Sequence, residues 1–177
     1  MKSDYPMLEA LGAEGPAAVQ AEKLRLYGQF VGSWRVDITF TERKDGTTRE
    51  TEGEWHFGWA LDGHTVQDVW IAPARRLRQS TRPEAWWRYG STLRWYSPSI
   101  DAWHIAWFDP GRSIELRQIG RAVGEEIVQM GEEPDGLLTR WRFFEIEPRS
   151  FHWLGEISPD RGQHWSPVTE MRATRTA

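Results

Sequence analysis

The residues best suited to chemistry in this 177-residue chain are Asp68 and His64, which share the short segment GHTVQDVW. Asp62-Gly63 is typical of a tight turn, and a two-residue turn there pairs Phe57 with Asp68 across two antiparallel strands. Paired residues share a face, so Asp68 would lie among apolar side chains, where a carboxylate must be paired or shift its pKa. With His64 on the same face, this predicts an acid/base pair or a ligand-orienting carboxylate. A structural hydrogen bond for Asp68 and a solvated turn position for His64 are the alternatives.

Three arginines, Arg94, Arg140 and Arg142, interrupt otherwise apolar strands. A two-residue turn at Pro148-Arg149 would put Arg140 and Arg142 on one face with Trp153. A buried guanidinium would hold a ligand carboxylate or phosphate, or pair with Asp68 or Glu156. If that face points outward, these arginines are ordinary surface charges. We predict that Arg94 and Arg142 help to orient a ligand.

Tryptophan accounts for twelve of the 177 residues, more than phenylalanine and tyrosine together. This excess favours an aromatic-lined cavity, because ligand sites are concave and rich in aromatic side chains. A solid β-rich core with bulky side chains is the alternative. The turns at Asp45-Gly46 and Asp62-Gly63 gather Trp34 and other aromatic residues on one face, which we assign to the interior. The predicted walls are Trp55, Phe57, Trp59, Trp70, Trp107 and Trp153.

Turn signals recur at short intervals after residue 30 and separate segments rich in Val, Ile, Trp, Phe and Thr. The pattern predicts about ten strands in up-and-down order, closed into an antiparallel barrel because an open meander would leave two long edges. Residues 16–29 are expected to form a helix. We therefore divide the chain into an extension with a helix, 1–29, and a barrel domain, 30–177. The arginine-rich loop 73–88 is predicted to act as a lid or to plug one end.

Three further segments carry a family resemblance: GEWHFGWALDGHTVQDVW, STLRWYSPSIDAWHIAWFDP and FHWLGEISPDRGQHW. Together with Gly32-Ser33-Trp34 at the start of the first strand, they resemble the calycin superfamily of lipocalins, fatty-acid-binding proteins and small bacterial lipocalin-like proteins. The resemblance implies an all-β lipocalin-like barrel. It also implies that Trp34 closes one end of this barrel under a basic residue of the last strand, Arg172 or Arg175.

Several classes of function are disfavoured by composition. There is no cysteine, the five histidines lack metal-ligand spacing, and the glycine-rich first strand of related haem-binding barrels is absent, so we expect no metal and no cofactor. A net charge of −4 without a basic run argues against nucleic-acid binding. No apolar run reaches membrane-spanning length and no signal peptide is evident, which favours the cytoplasm. A homodimer is left open.

The function predicted from these features is the binding of a small hydrophobic or aromatic molecule inside the barrel. The alternative is a cofactor-independent enzyme, such as an isomerase, cyclase, hydratase or decarboxylase, that uses Asp68 with His64 or an arginine. A third hypothesis is a filled barrel that acts only through partner proteins. The sequence does not identify the ligand.

Overall fold

The computed structural model describes residues 5–78 and 83–176. Two short helices precede the barrel, α1 (Pro6–Leu11) and α2 (Ala21–Gly28), with a two-residue strand β1 (Gly12–Ala13) between them. The helix predicted over 16–29 thus forms over its second half. It is held by Leu24 and Tyr27, which are three residues apart on one helix face and fully buried.

Ten antiparallel strands follow in up-and-down order, and each pairs with its neighbour in the chain. The last strand pairs back to the first, which closes the barrel and confirms the predicted lipocalin-like architecture. Residues that alternate along each strand face the interior, so the barrel has one continuous core. The strands are β2 (Gly32–Thr41), β3 (Thr48–Ala60), β4 (Thr65–Ala72), β5 (Arg88–Ser97), β6 (Ala102–Asp109), β7 (Ile114–Val123), β8 (Glu126–Glu132), β9 (Leu138–Glu147), β10 (Ser150–Ser158) and β11 (Ser166–Arg175).

The register predicted from Asp62-Gly63 is confirmed, since Phe57 pairs with Asp68 and Trp55 with Trp70. The register predicted from Asp45-Gly46 is wrong by two residues: Trp34 pairs with Trp55, not with Phe57. The reason is a longer loop between β2 and β3, in which the backbone N–H of Gly46 donates to the carbonyl of Glu42. A shift of two residues leaves every side chain on its predicted face.

A two-residue turn at Pro110-Gly111 would pair Trp107 with Ile114, but a second two-residue shift occurs between β6 and β7, so that Trp107 pairs with Leu116. The loop there is a short 3₁₀ turn, Pro110–Arg112, followed by Ser113 in the left-handed region at φ 53°. This turn, which we call η2, packs against β5.

The register predicted for β9 and β10 is wrong by one residue, and this error has a larger effect. Glu145 adopts φ 50°, a left-handed backbone that adds an irregularity to the hairpin, so Trp153 pairs with Phe143 instead of Phe144. A one-residue shift moves each side chain to the opposite face. Arg142 therefore pairs with Leu154, away from the face that carries Trp153.

Trp34 closes one end of the barrel under Arg175, as the family resemblance implies. The guanidinium carbon of Arg175 lies 4.1 Å from the centre of the Trp34 ring. Its three nitrogens donate to the carbonyls of Gln29, Val31 and Pro148 at 2.8–2.9 Å. The indole N–H of Trp34 donates to the carbonyl of Phe30 at 2.7 Å, which fixes the ring against the segment after α2.

The loop predicted as a lid falls partly outside the described residues, since 79–82 are not among them. Its first part is anchored on β3, where the backbone N–H and side chain of Arg75 donate to the carboxylate of Glu54 at 2.6–2.9 Å. Its last part places Trp86 against Phe40 at the barrel end opposite Trp34. No helix in the described part of the chain is long and apolar enough to cross a membrane.

Candidate functional site

The half of the barrel interior next to Trp34 is filled by an aromatic plug. Tyr27 and Phe30, from α2 and the turn after it, enter the barrel and pack against Phe143, with ring centres 6.2 and 4.8 Å away. Phe57 lies 5.8 Å from Phe30 and belongs to this plug. All four side chains are at least 95% buried and belong to the hydrophobic core.

The opposite half contains a cavity of about 730 Å³, which we call the barrel cavity. This volume lies within the range of roughly 300–1,000 Å³ that is usual for small-molecule sites. Indole rings from strands on both sides of the barrel form part of its walls, together with polar and charged side chains. The rings are those of Trp55, Trp70, Trp107, Trp141 and Trp153.

Two glycines let indole rings lie flat against the barrel wall. A Cβ on Gly90 would come within 2.2 Å of the Trp107 ring, and one on Gly155 within 2.7 Å of the Trp153 ring. Each ring therefore occupies the space that any larger residue would need. The rings then pack on one another, with Trp153 5.5 Å from Trp141 and 6.1 Å from Trp55 between ring centres.

A buried ion pair between Arg94 and Asp68 separates the plug from the barrel cavity. Arg94 donates from its terminal nitrogen to one carboxylate oxygen of Asp68, and the hydroxyl of Thr92 donates to the other at 3.2 Å. The guanidinium carbon of Arg94 also lies 5.3–5.5 Å from the ring centres of Tyr27 and Phe57. Arg94 and Thr92 line the cavity, whereas Asp68 lies behind them.

Tyr27 adds a second polar contact beneath this pair. Its hydroxyl accepts a hydrogen bond at 2.9 Å from the side chain of Gln129. Burial raises the pKa of Tyr27 far above its ordinary value, although the nearby Arg94 acts in the opposite direction. The phenol is thus neutral at any physiological pH and supports the plug.

Several cavity-lining side chains carry buried donors without an acceptor in the described part of the chain. These are the indole N–H groups of Trp55, Trp70 and Trp153 and the Nε–H of Arg94. Each of these side chains is more than nine-tenths buried. A buried donor without a partner costs about 1–3 kcal/mol, so a ligand that brought acceptor atoms to these groups would gain that energy.

The mouth of the barrel cavity is charged. Arg88 is partly buried there, with its guanidinium carbon 5.0 Å above the Phe40 ring, and it donates to the carbonyl of Trp87 at 3.2 Å. Burial, followed by the nearby charge of Arg112, lowers the pKa of Arg88 to about 10. The other charged residues at the mouth are Glu42, Arg43, Lys44, Glu115 and Glu133.

The structure brings most of the residues predicted as ligand contacts to one place. Of those predicted, the residues that line the barrel cavity are Trp55, Trp70, Arg94, Trp107 and Trp153. Phe57 lies in the plug. Trp59 packs on Gly28 at the end of α2, where a Cβ would be 2.5 Å from its ring, and lines an outer groove.

Arg142 and His64 lie elsewhere. Arg142 donates to Glu126 and Glu156 at 3.1 Å on the face opposite Phe143, and it is not among the cavity-lining residues. His64 is exposed beside the β3–β4 turn, and no described hydrogen bond or ion pair joins it to Asp68. Acid/base chemistry by Asp68 and His64 stays a prediction.

The cavity residues that sequence reasoning missed include Trp141, Arg88 and Arg112. Trp141 was missed because of the one-residue register error in β9, which assigned its neighbours to the inner face and Trp141 to the outer face. Arg88 begins β5 and Arg112 ends the turn η2, and no local sequence pattern shows that these two segments are adjacent.

An open groove of about 1150 Å³ runs along the outside of the barrel beside α2. It contains an exposed cluster in which Lys23 donates to Asp101 at 2.6 Å and the hydroxyl of Tyr96 donates to the same carboxylate. Both contacts lower the pKa of Asp101 below its ordinary value. Within the described ranges, no group of three or more His, Asp or Glu side chains is placed to hold a metal ion.

Comparison with known proteins yields a likeness in fold. Neither a family model nor a curated protein sequence matches the chain. Solved structures do, among them an S-type phycobiliprotein lyase from Guillardia theta, with a TM-score of 0.56 and 12% identity over 90% of this chain and 94% of that one. At this identity the likeness supports the shared barrel architecture and does not extend to activity.

Proposed function

We propose that this protein binds a small hydrophobic or aromatic molecule in the barrel cavity. The observation that carries the proposal is the cavity itself, about 730 Å³ between indole rings, with three buried indole N–H groups that lack an acceptor. Aromatic walls favour a flat apolar body. The free donors favour oxygen or nitrogen acceptors on that body, because a buried donor is stabilised once it is paired.

The plug supports this function because the solid core and the proposed ligand site lie in different halves of the barrel. The aromatic side chains around Phe30 and Phe143 form a solid core at the end closed by Trp34. A ligand that enters at the opposite end would contact side chains of the walls without disturbing this core. The phycobiliprotein lyase from Guillardia theta has the same kind of barrel, and its activity is not part of the proposal.

A neutral aromatic probe, 9-anthracenemethanol, tests the proposal. Transfer of excitation from the wall tryptophans to anthracene should quench protein emission with a saturable, 1:1 dependence on probe concentration. We expect a Kd in the micromolar range, about −8 kcal/mol, for a probe that fills part of the cavity. Absence of saturable quenching by this and other flat neutral probes would overturn the proposal.

Two variants locate the probe. Leu116 lines the barrel cavity, so Leu116→Trp should fill part of it and weaken binding at least ten-fold. Ile119 lies on the other face of the same strand, where it pairs with His104, so Ile119→Trp is the matched control and should bind as the parent does. Equal weakening by both variants would place the probe outside the barrel.

The alternative enzymatic function is not favoured by a specific contact. Asp68 is held by Arg94 and Thr92 behind the cavity wall, and His64 is at an exposed turn. A cofactor-independent isomerase, cyclase, hydratase or decarboxylase therefore stays a prediction from the sequence.

A further inference from the structure

We propose, resting on the proposed function, that the ligand carries a carboxylate held at the mouth of the barrel cavity by Arg88 and Arg112, with its aromatic body toward Arg94. This assigns a ligand class, aromatic carboxylic acids, and an orientation. Both arginines line the cavity, one from the start of β5 and one from η2, which packs against β5.

The mouth holds more free cations than free anions. The carboxylate of Glu133 is already bound by Arg43 at 2.9 Å, and that of Glu115 by Arg117 at 3.0 Å. Arg112 has no hydrogen bond or ion pair with any other described residue, although its guanidinium lies at the cavity edge. Such a group can bind a ligand without losing a contact within the protein.

Arg88 is the second cation, and no ion pair joins it to a carboxylate in the described part of the chain. It donates to the carbonyls of Trp86 and Trp87, and the positive charge of Arg112 lowers its pKa further after burial. Glu42 and Asp109 act in the opposite direction, but neither forms an ion pair with Arg88 in the described part of the chain. An anion between the two guanidinium groups would relieve their repulsion.

The floor of the cavity offers no equivalent site. Arg94 is neutralised by Asp68, with side-chain exposure of 1% and 0%, so a second carboxylate would compete with an existing buried pair. Glu156, another acidic residue that lines the cavity, is bound by Arg140 and Arg142. The charge distribution therefore orients an anionic end outward and an apolar end inward.

A carboxylate is the anion that fits best, because the planar guanidinium fork matches its two oxygens. A matched probe pair tests this: 9-anthracenecarboxylate against neutral 9-anthracenemethanol, which share the aromatic body. The parent protein should bind the carboxylate about ten-fold more tightly, as expected for one additional charge-assisted contact. Added salt should weaken binding of the carboxylate and leave that of the alcohol unchanged.

Arg112→Gln is the decisive variant, since Arg112 is exposed and its loss breaks no contact within the described residues. The ratio of the two affinities should fall to less than about three-fold, with the alcohol bound as before. Arg35→Gln is the matched control, because Arg35 is also exposed and pairs with Asp37, and neither residue lines the cavity. Its ratio should remain about ten-fold.

The outcomes separate this inference from the proposed function. Saturable binding of both probes with equal affinity, or a ratio that Arg112→Gln does not change, would overturn the carboxylate site and leave the aromatic cavity standing. Failure of both probes to bind would overturn the proposed function and the inference with it. Binding of the carboxylate alone, insensitive to Leu116→Trp, would place it on the surface and would also overturn both.

Discussion

Asp68 and Arg94 form an ion pair that is closed off from solvent, with side-chain exposures of 0% and 1%. Asp68 lies on β4 and Arg94 on β5, two residues beyond Thr92, which faces Asp68 directly. The pair thus crosses the strands diagonally, just beneath the floor of the barrel cavity. Because both groups are removed from water, loss of one charge would leave the other buried without a partner.

Removal of one partner should be strongly destabilising. In Arg94→Met the carboxylate of Asp68 would stay buried with only Thr92 as donor, so we expect a loss of about 3–5 kcal/mol in the free energy of unfolding. Urea denaturation followed by tryptophan emission measures this change. The exposed pair of Arg117 and Glu115 is the control, and Arg117→Met should cost less than about 1 kcal/mol. Similar losses in the two variants would contradict the structural role of the buried pair.

Gly155→Ala should push the Trp153 ring into the barrel cavity. Its Cβ would lie 2.7 Å from the ring, which is wedged between Trp141 and Trp55. Such overpacking costs about 1–3 kcal/mol, and near-ultraviolet circular dichroism should report a changed indole environment. Gly58 has no atom within 4 Å of an added Cβ, so Gly58→Ala should be neutral or slightly stabilising. An unchanged spectrum and an unchanged free energy of unfolding in Gly155→Ala would contradict the predicted displacement of the Trp153 ring.

Arg175→Gln should loosen the closed end of the barrel. The side chain of Arg175 donates to three backbone carbonyls and covers the Trp34 ring, so its loss leaves those acceptors unpaired at a cost of about 1–3 kcal/mol. Arg172→Gln is the matched control, because Arg172 is exposed and lies 3.6 Å from Glu170. Thermal unfolding should show a lower Tm for Arg175→Gln only. A comparable fall in both variants would argue for a general charge effect.

The contact between Glu54 and Arg75 should make stability depend on pH in the acid range. Burial alone would raise the pKa of Glu54, but the hydrogen bonds from Arg75 outweigh it and hold the pKa at about 2, below the ordinary 4.5. The folded state therefore gains stability above pH 4.5 and loses it as pH falls from 4.5 towards 2. In Glu54→Gln this gain is absent. The difference in unfolding free energy between parent and variant, measured at steps of pH, should shrink over that window. A constant difference would mean that the contact does not shift the pKa.

Local turn chemistry was sufficient to predict the barrel and the inner face of the strands around Asp68. Two of the tested turns contained longer loops than expected, but a shift of two residues preserves the face, so Trp55 and Trp107 still point inward. The position of Asp68 was predictable for the same reason. A buried arginine was among the predicted partners of Asp68, but Arg94 could not be singled out, because the loose turn at Ser97–Ala102 does not fix whether Arg94 or Trp95 points inward.

The error in β9 shows where such reasoning stops. A single residue, Glu145, in the left-handed region reverses the faces of the strand, so that Phe143 and Trp141 point inward and Arg142 outward. Glutamate carries no sequence signal for that backbone conformation. The plug could not be predicted either. Tyr27 and Phe30 reach the core only because α2 turns back into the end of the barrel that Trp34 closes.

The pairing of β2 with β11 has a consequence for how the chain folds. Phe40 and Thr169 are partners across this seam, and nearly the whole barrel lies between them in sequence. Contacts of such long separation carry the largest loop-closure entropy, so they form late and slow the reaction. Until the seam forms, both outer strands offer unpaired backbone edges to other chains. Barrel closure is therefore the step at which folding competes with aggregation. Arg175, which is bound across the seam, favours folding at this step.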